Sequence, residues 1–155
     1  MEAAVKRGIK ISGGVLFGIY VVGLIYFLFF AEGFGRGGGE LYGSYNLRPF
    51  QEILRCIRYW DILGAEYVIL NLAGNVIGFM PFGMLLPVFA RSVRRGWKVG
   101  ILSFEISAVV EISQLIFRVG SFDVDDMILN TLGGLLGYFL FCTVIQGVRI
   151  FRRDW

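Results

Sequence analysis

The sequence predicts an all-α membrane protein: a four-helix transmembrane bundle with an extracytoplasmic amphipathic interfacial helix. Hydrophobic residues make up 56% of the 155-residue chain, and its mean hydropathy is +0.68. Four long apolar runs each approach the length of about 20 residues that crosses a bilayer, and basic clusters flank them. These spans use up most of the apolar residues. We therefore predict that residues 1–155 form one membrane domain without a separate soluble core.

The first span is predicted at residues 11–31, directly after the basic residues Lys6, Arg7 and Lys10. A secretory signal has a similar start, but its apolar core is normally about 7–15 residues long and ends on small residues. Here the apolar run is longer, and the bulky Phe29 occupies the minus-three position relative to Ala31. The sequence thus predicts a retained first helix.

Three further spans are predicted at residues 67–90, 97–117 and 124–148. The second contains Pro81 and Pro87, which we expect to bend or break its later half because proline removes a helix hydrogen bond. The third carries Glu105 and Glu111 within its apolar sequence. Ionisable groups at such positions indicate functional sites.

Orientation follows from the Lys and Arg residues, which are enriched in cytoplasmic loops. With the N-terminus inside, the inner set holds 10 of the 15 basic residues, namely Lys6, Arg7, Lys10, Arg91, Arg94, Arg95, Lys98, Arg149, Arg152 and Arg153. The outer set is Arg36, Arg48, Arg55, Arg58 and Arg118. We predict a multi-pass membrane protein with both termini in the cytoplasm, which places the connection at residues 32–66 outside.

This outer loop has two parts. Residues 33–39 are rich in glycine and predict a flexible linker. The following segment, PFQEILRCIRYW, places Phe50, Ile53, Leu54, Ile57 and Trp60 at helical spacing, with Pro49 at a favoured helix start. We expect a short helix that lies on the outer membrane surface or packs as a lid on the bundle.

The composition excludes several kinds of function. The chain has no histidine, which removes the Ser-His-Asp, Cys-His and zincin types of active site. The predicted topology places Cys56 and Cys142 on opposite sides of the membrane, so we expect no disulfide and no thiolate metal site. The net charge of +3 comes from clusters beside apolar runs, and we predict no nucleic-acid binding.

Polar side chains on three spans fall on one face of each helix. Asn71 and Asn75 are four residues apart, as are Asp126 and Asn130, and this spacing places each pair on one face. The third span has a polar stripe at intervals of three or four residues, formed by Ser103, Ser107, Glu111, Gln114 and Arg118. The sequence predicts an outward-facing polar cavity lined by Asn71, Asn75, Glu111, Gln114, Arg118, Asp123, Asp126 and Asn130.

The same polar residues could instead serve only to join helices, at about 0.6–2 kcal/mol per hydrogen bond. Glu111 favours a functional role, since serine could join helices without the desolvation cost of an ionisable group. Glu105 lies off the stripe, and we expect it to be partnered or protonated. Below the acids, small residues predict the close approach of another helix, at Gly133, Gly134 and Gly137.

Three segments carry a recognisable pattern: NLRPF at 46–50, NLAGNVIGFMPFGMLLP at 71–87 and EISQLIFRVGSFDVDDMILNTLGGLLGY at 111–138. This ordered set resembles the VanZ-like family of small bacterial membrane proteins. The resemblance implies a plasma-membrane location and, from its best-known relatives, lowered susceptibility to lipophilic glycopeptide antibiotics such as teicoplanin. It supplies no catalytic residue set, and family alone does not determine function.

Two hypotheses follow. In the first, the cavity binds a membrane lipid, a lipid-linked cell-wall precursor or a lipoglycopeptide, because apolar walls with a few polar groups suit such ligands. In the second, Glu111 and Asp126 act as the acid and base of an intramembrane hydrolase or transferase, with Asp126 held ionised by Arg118. The run of acids at residues 123–126 could hold Mg²⁺ or Ca²⁺, but it also suits a helix start. We predict no metal and no cofactor, and leave homo-oligomerisation open.

Overall fold

A computed structural model describes residues 13–26 and 45–153, most of which are helical. The six helices of this part of the chain are α1 (Gly13–Tyr26), α2 (Gln51–Arg58), α3 (Trp60–Leu63), α4 (Ala65–Phe89), α5 (Gly96–Phe117) and α6 (Val124–Arg153). Two short strands, β1 (Tyr45–Asn46) and β2 (Phe122–Asp123), pair in parallel. A 3₁₀ turn at Arg91–Val93 connects α4 to α5.

Within these residues, three helices are long and apolar enough to cross a membrane: Ala65–Phe89, Gly96–Phe117 and Val124–Gln146. They correspond closely to the predicted second, third and fourth spans. Large apolar side chains on their outer faces are exposed, as expected for surfaces that contact lipid. The predicted length and apolar composition of these three spans are confirmed.

The first predicted span is helical over Gly13–Tyr26, while residues 11–12 and 27–31 lie outside the described part. This helix packs on α4. The Tyr20 hydroxyl donates a 2.6 Å hydrogen bond to the carbonyl of Gly78, and the Phe17 and Phe89 rings have centroids 5.2 Å apart. A complete four-helix bundle remains a prediction.

The backbone irregularity of α4 is not where the prolines predict it. The α-helical segment Gly74–Phe89 continues through both Pro81 and Pro87, so the expected break in the later half is wrong. The two missing N–H groups are tolerated because the remaining helix hydrogen bonds and the packing against neighbouring helices hold these turns. The irregular segment lies earlier, where Ile69–Ala73 forms a π-helical turn. Such turns recur at functional sites.

Helices α4 and α6 lie in near backbone contact. A Cβ atom at Gly83 would collide with the carbonyl of Gly134, and Cβ atoms at Gly133 and Gly137 would collide with the carbonyls of Val76 and Met80. The predicted small-residue surface is therefore confirmed. It is used within the chain, which leaves it unavailable for pairing with a second copy.

Helix contacts also give the directions of the three long helices. Along α6, residues 126, 133 and 137 meet α4 at 75, 76 and 80, so these helices run in parallel. The contacts of Ser107 with Asn130 and of Ser103 with Gly134 show that α5 runs the opposite way. We call the end formed by Ala65, Phe117 and Val124 the acidic end of the bundle.

The segment predicted as an interfacial helix forms α2. It begins at Gln51 instead of Pro49, because Phe50 has a left-handed backbone with φ of 66°. Pro49 thus lies in the preceding turn, and the predicted helix start is wrong by two residues. The position of α2 relative to a membrane surface stays a prediction, and the glycine-rich residues 33–39 lie outside the described part. Within the described part, neither Cys56 nor Cys142 forms a disulfide.

Candidate functional site

The acidic end is built around three aspartates at the junction of β2 and α6. Asp123, Asp125 and Asp126 are all buried. Negative side chains stabilise a helix start through the helix dipole, but full burial of three carboxyl groups also requires specific hydrogen-bond donors. The structure supplies a different set of donors for each aspartate.

Asp125 caps helix α2. Its Oδ1 accepts a hydrogen bond from the backbone N–H of Phe50, and its Oδ2 accepts from the N–H groups of Glu52 at 2.7 Å and Ile53 at 3.1 Å. The first N–H groups of a helix have no partner within it, and no side chain at the N-terminus of α2 caps them locally. Asp125 therefore fixes the segment from β1 to α2 on the bundle. It was not among the predicted site residues.

Asp123 joins strand β1 to helices α5 and α6. Its Oδ1 accepts hydrogen bonds from Asn46 Nδ2 at 3.1 Å and from the Asp125 N–H at 2.8 Å. Its own N–H donates to Glu111 Oε2 at 2.8 Å. Strand pairing adds support, with Asn46 opposite Asp123. The segment NLRPF at residues 46–50 thus contacts the third of the family-like segments, at residues 122–126, at the acidic end.

The carboxyl group of Asp123 is a weaker acid than that of an ordinary aspartate. Burial raises its pKa from 3.8 to about 6, and the neighbouring carboxylates of Asp126, Asp125 and Glu52 add to the rise, while the hydrogen bond from the Asp125 N–H opposes it. A carboxyl group with this pKa is partly protonated near pH 6. It can then donate as well as accept a hydrogen bond.

Deeper in the bundle, two hydrogen bonds join the three long helices. Asn75 Nδ2 on α4 donates to Asp126 Oδ1 at 2.6 Å, and Asn130 Nδ2 on α6 donates to Ser107 Oγ on α5 at 2.8 Å. Both pairs are buried. The polar faces predicted on α4, α5 and α6 therefore meet inside the bundle.

This buried network contains polar atoms without partners. In the described part of the chain, Asn71 Oδ1, Ser103 Oγ and Asn130 Oδ1 are buried and form no hydrogen bond. Asn130 is 0% exposed and Asn71 is 6% exposed. Buried polar groups are nearly always hydrogen-bonded in folded proteins. These three atoms mark places where the protein does not complete its own network.

Of the eight predicted site residues, seven are buried: Asn71, Asn75, Glu111, Gln114, Asp123, Asp126 and Asn130. Arg118 is exposed, with a left-handed backbone directly after α5. The predicted pairing of Arg118 with Asp126 stays a prediction. The carboxylate of Asp126 contacts Asn75.

Two further acidic residues lie outside the buried network. Glu105 is exposed on α5, on the side away from the polar stripe. Glu52 on α2 accepts a 3.1 Å hydrogen bond from the Tyr67 hydroxyl and forms a 3.3 Å ion pair with Arg55. Within residues 13–26 and 45–153, no group of three His, Cys, Asp or Glu side chains is arranged to hold a metal ion.

Comparison with known proteins identifies the family. The VanZ/LLP1 family model matches residues 17–146, which is most of the chain. The chain belongs to the VanZ/LLP1 family. A curated relative, Protein VanZ of Enterococcus faecium, is 42% identical over 67 residues, covering 43% of this chain and 41% of that relative. The match thus spans less than half of the relative's length. No solved structure matches the chain.

The VanZ/LLP1 match includes all eight predicted site residues and both strands. The resemblance seen in the sequence is therefore confirmed. Sequence patterns missed Asp125 as a cap and Asn46 as a partner of Asp123. Their only signal was that both lie within the family-like segments, because their partners are 72 or more residues away in the chain.

Proposed function

We propose that this VanZ/LLP1 protein is a multi-pass plasma-membrane protein whose polar network opens toward the outer leaflet and binds a lipid or a cell-wall-related ligand. The observation that carries the proposal is the set of three buried atoms without partners, at Asn71, Ser103 and Asn130. Each such atom costs about 1–3 kcal/mol. Polar residues that served only to join helices would gain nothing from this cost, whereas a bound ligand offsets it.

Family membership gives the proposal a biological setting. The relative named Protein VanZ supports a link to glycopeptide resistance, and we propose that this chain lowers susceptibility to lipophilic glycopeptides such as teicoplanin. Binding at the outer leaflet would change the availability of a lipid-linked precursor or of the lipid-anchored drug. No bond needs to be made or broken for this effect.

The first experiment tests ligand binding directly. The protein is purified from its native membrane, and small molecules that remain bound are identified by mass spectrometry. We expect Asn71→Leu and Asn130→Leu to lose a ligand that the wild type retains. Gln146→Leu is the matched control, since Gln146 is an exposed amide on α6. An identical set of bound molecules in all four proteins would contradict ligand binding at the network.

Catalysis is the second candidate, favoured by two carboxylates next to Asp123. Glu111 accepts the Asp123 N–H at 2.8 Å, and Asp126 lies close enough to raise the pKa of Asp123. In this case Glu111 and Asp126 divide the acid and base roles of a hydrolase or transferase.

Glu111→Gln separates the two candidates. If the protein binds without catalysis, the bound ligand is lost and no product forms. If it catalyses a reaction, the ligand remains bound while its chemical conversion stops. Glu105→Gln is the matched control, because it makes the same change at an exposed position on the same helix, and it should retain both binding and turnover.

A further inference from the structure

The buried polar side chains follow one another from the acidic end toward the middle of the bundle. Asn71 lies four residues before Asn75 on α4, in the π-helical turn Ile69–Ala73. The Asn75–Asp126 hydrogen bond comes next, followed by the Asn130–Ser107 hydrogen bond. Ser103 is one turn deeper, against Gly134. We call this set of six residues the polar column.

Two of the three unpartnered atoms of the polar column are acceptors only, and the third, Ser103 Oγ, is a hydroxyl that can also donate. Asn71 Oδ1 and Asn130 Oδ1 are amide oxygens, which accept hydrogen bonds but cannot donate them. The amide nitrogen of Asn130 already donates to Ser107 on α5, which places this amide between α5 and α6. The two amide oxygens can be satisfied only by a group with N–H or O–H donors. A fully ionised phosphate presents acceptors alone and cannot form hydrogen bonds with them.

The surroundings of the column favour a positively charged donor. Asp126 belongs to the column, and its carboxylate together with those of Asp125 and Glu52 raises the pKa of Asp123. A nearby cation would be attracted by this concentration of acidic groups. The described residues provide no group arranged for a metal ion, whereas an organic ammonium group needs only hydrogen-bond acceptors.

We propose that the polar column binds the primary ammonium group of an aminophospholipid headgroup. A primary ammonium group has three donors and no acceptor, which suits the two amide oxygens and the carboxylate of Asp126. A lipid source fits a column that begins at the end of three apolar helices long enough to cross a membrane. This inference rests on the proposed ligand-binding function and names its ligand class.

The test compares two lipids of equal charge. Phosphatidylethanolamine has N–H donors, and phosphatidylcholine has the same phosphate with a quaternary nitrogen that lacks them. Binding to the detergent-purified protein is measured by native mass spectrometry. We expect phosphatidylethanolamine to bind about tenfold more tightly, the effect of one or two hydrogen bonds. Equal affinity for the two lipids would overturn the inference.

Variants show which residues cause the preference for phosphatidylethanolamine. We expect Asn71→Leu and Asn130→Leu to remove the preference for phosphatidylethanolamine, while Gln146→Leu retains it. Asn130→Leu also removes the hydrogen bond to Ser107, so thermal unfolding of each variant checks that the fold is intact. A preference that survives in both Leu variants would place amine recognition elsewhere and overturn the inference.

Two further probes show whether the hydrogen-bond donor is an ammonium or a hydroxyl group, and whether it belongs to a lipid or to a soluble amine. Phosphatidylglycerol offers hydroxyl donors, and binding as tight as that of phosphatidylethanolamine would exclude ammonium recognition while the proposed lipid-binding function stands. Free ethanolamine should not displace the lipid at millimolar concentration; displacement would show that a soluble amine is the ligand. The Leu variants could lose all bound molecules while the wild type shows no preference among these lipids. That result would support the proposed function and overturn this inference alone.

Discussion

The Asp125 carboxylate accepts a 2.7 Å hydrogen bond from the backbone N–H of Glu52, a residue 73 positions earlier in the chain. The first turn of α6 thus supplies the cap that α2 lacks. A charged acceptor forms stronger hydrogen bonds than a neutral one. This contact keeps the segment from β1 to α2 against the acidic end, directly above the polar column.

We predict that Asp125→Ala frees α2 from the bundle. The variant leaves the N–H groups of Phe50, Glu52 and Ile53 without their acceptor, and loss of a helix cap costs about 0.5–2 kcal/mol. Hydrogen exchange of these amides should accelerate by about two- to thirtyfold, at about 1.4 kcal/mol per factor of ten. Asp61→Ala, at an exposed position on α3, should leave their exchange unchanged. Unaltered exchange in Asp125→Ala would refute the cap.

We predict that Gly83→Ala prevents the close packing of α4 and α6. Its Cβ would collide with the carbonyl of Gly134, and overpacking of this kind costs about 1–3 kcal/mol or more. Thermal unfolding in detergent should show a clearly lowered midpoint. Gly18→Ala is the matched control, because a Cβ at Gly18 meets nothing within 4 Å. Equal midpoints for the two variants would rule out the backbone contact.

We predict that Asp123 makes stability fall as pH rises between about 4 and 6. The pKa of Asp123 is about 6 in the folded protein against an ordinary value of 3.8, so the folded state binds more protons in this range. The contribution is complete below the lower value and is lost as pH passes the higher one. Unfolding midpoints should show this loss in the wild type relative to Asp123→Asn, which keeps an acceptor oxygen. If the midpoints of the wild type and Asp123→Asn change with pH in the same way, the raised pKa of Asp123 is excluded. The control Asp61→Asn should show the same pH dependence as the wild type.

We predict that the double variant Ser107→Ala with Asn130→Leu folds as well as the wild type. It removes both partners of a buried hydrogen bond together with one unpartnered oxygen, and such paired replacements are near neutral or stabilising. The unfolding midpoint should stay level or rise while the bound ligand is lost. If Asn130 and Ser107 instead serve only to join helices, the midpoint should drop by more than Ser113→Ala produces on the same helix.

We predict that both termini lie in the cytoplasm, since the basic residues lie mainly on that side. Green fluorescent protein fused to the C-terminus should fluoresce, and alkaline phosphatase fused there should be inactive. The opposite pair of results would invert the topology and would place the polar column at the inner leaflet.

Local patterns predicted much of the candidate site. The spacing of Asn71 and Asn75, of Asp126 and Asn130, and of the α5 stripe as far as Gln114 correctly assigned the buried faces, because helical periodicity determines which side chains share a face. The glycines of α6 likewise predicted a close helix contact. The same reasoning misplaced the irregular turn of α4 and the start of α2, where packing overrides local preference.

The sequence by itself determined the apolar spans, their polar faces and the small-residue surface of α6, since each depends on residues within a few turns of one another. Only the tertiary structure decided that Asp125 caps α2, that Asn46 meets Asp123, and that Arg118 faces outward. These contacts join residues far apart in the chain, or depend on one left-handed turn, and hydrogen bonds of that kind leave no periodic signal. The unpartnered oxygens of Asn71 and Asn130 likewise emerge only when three helices are packed together.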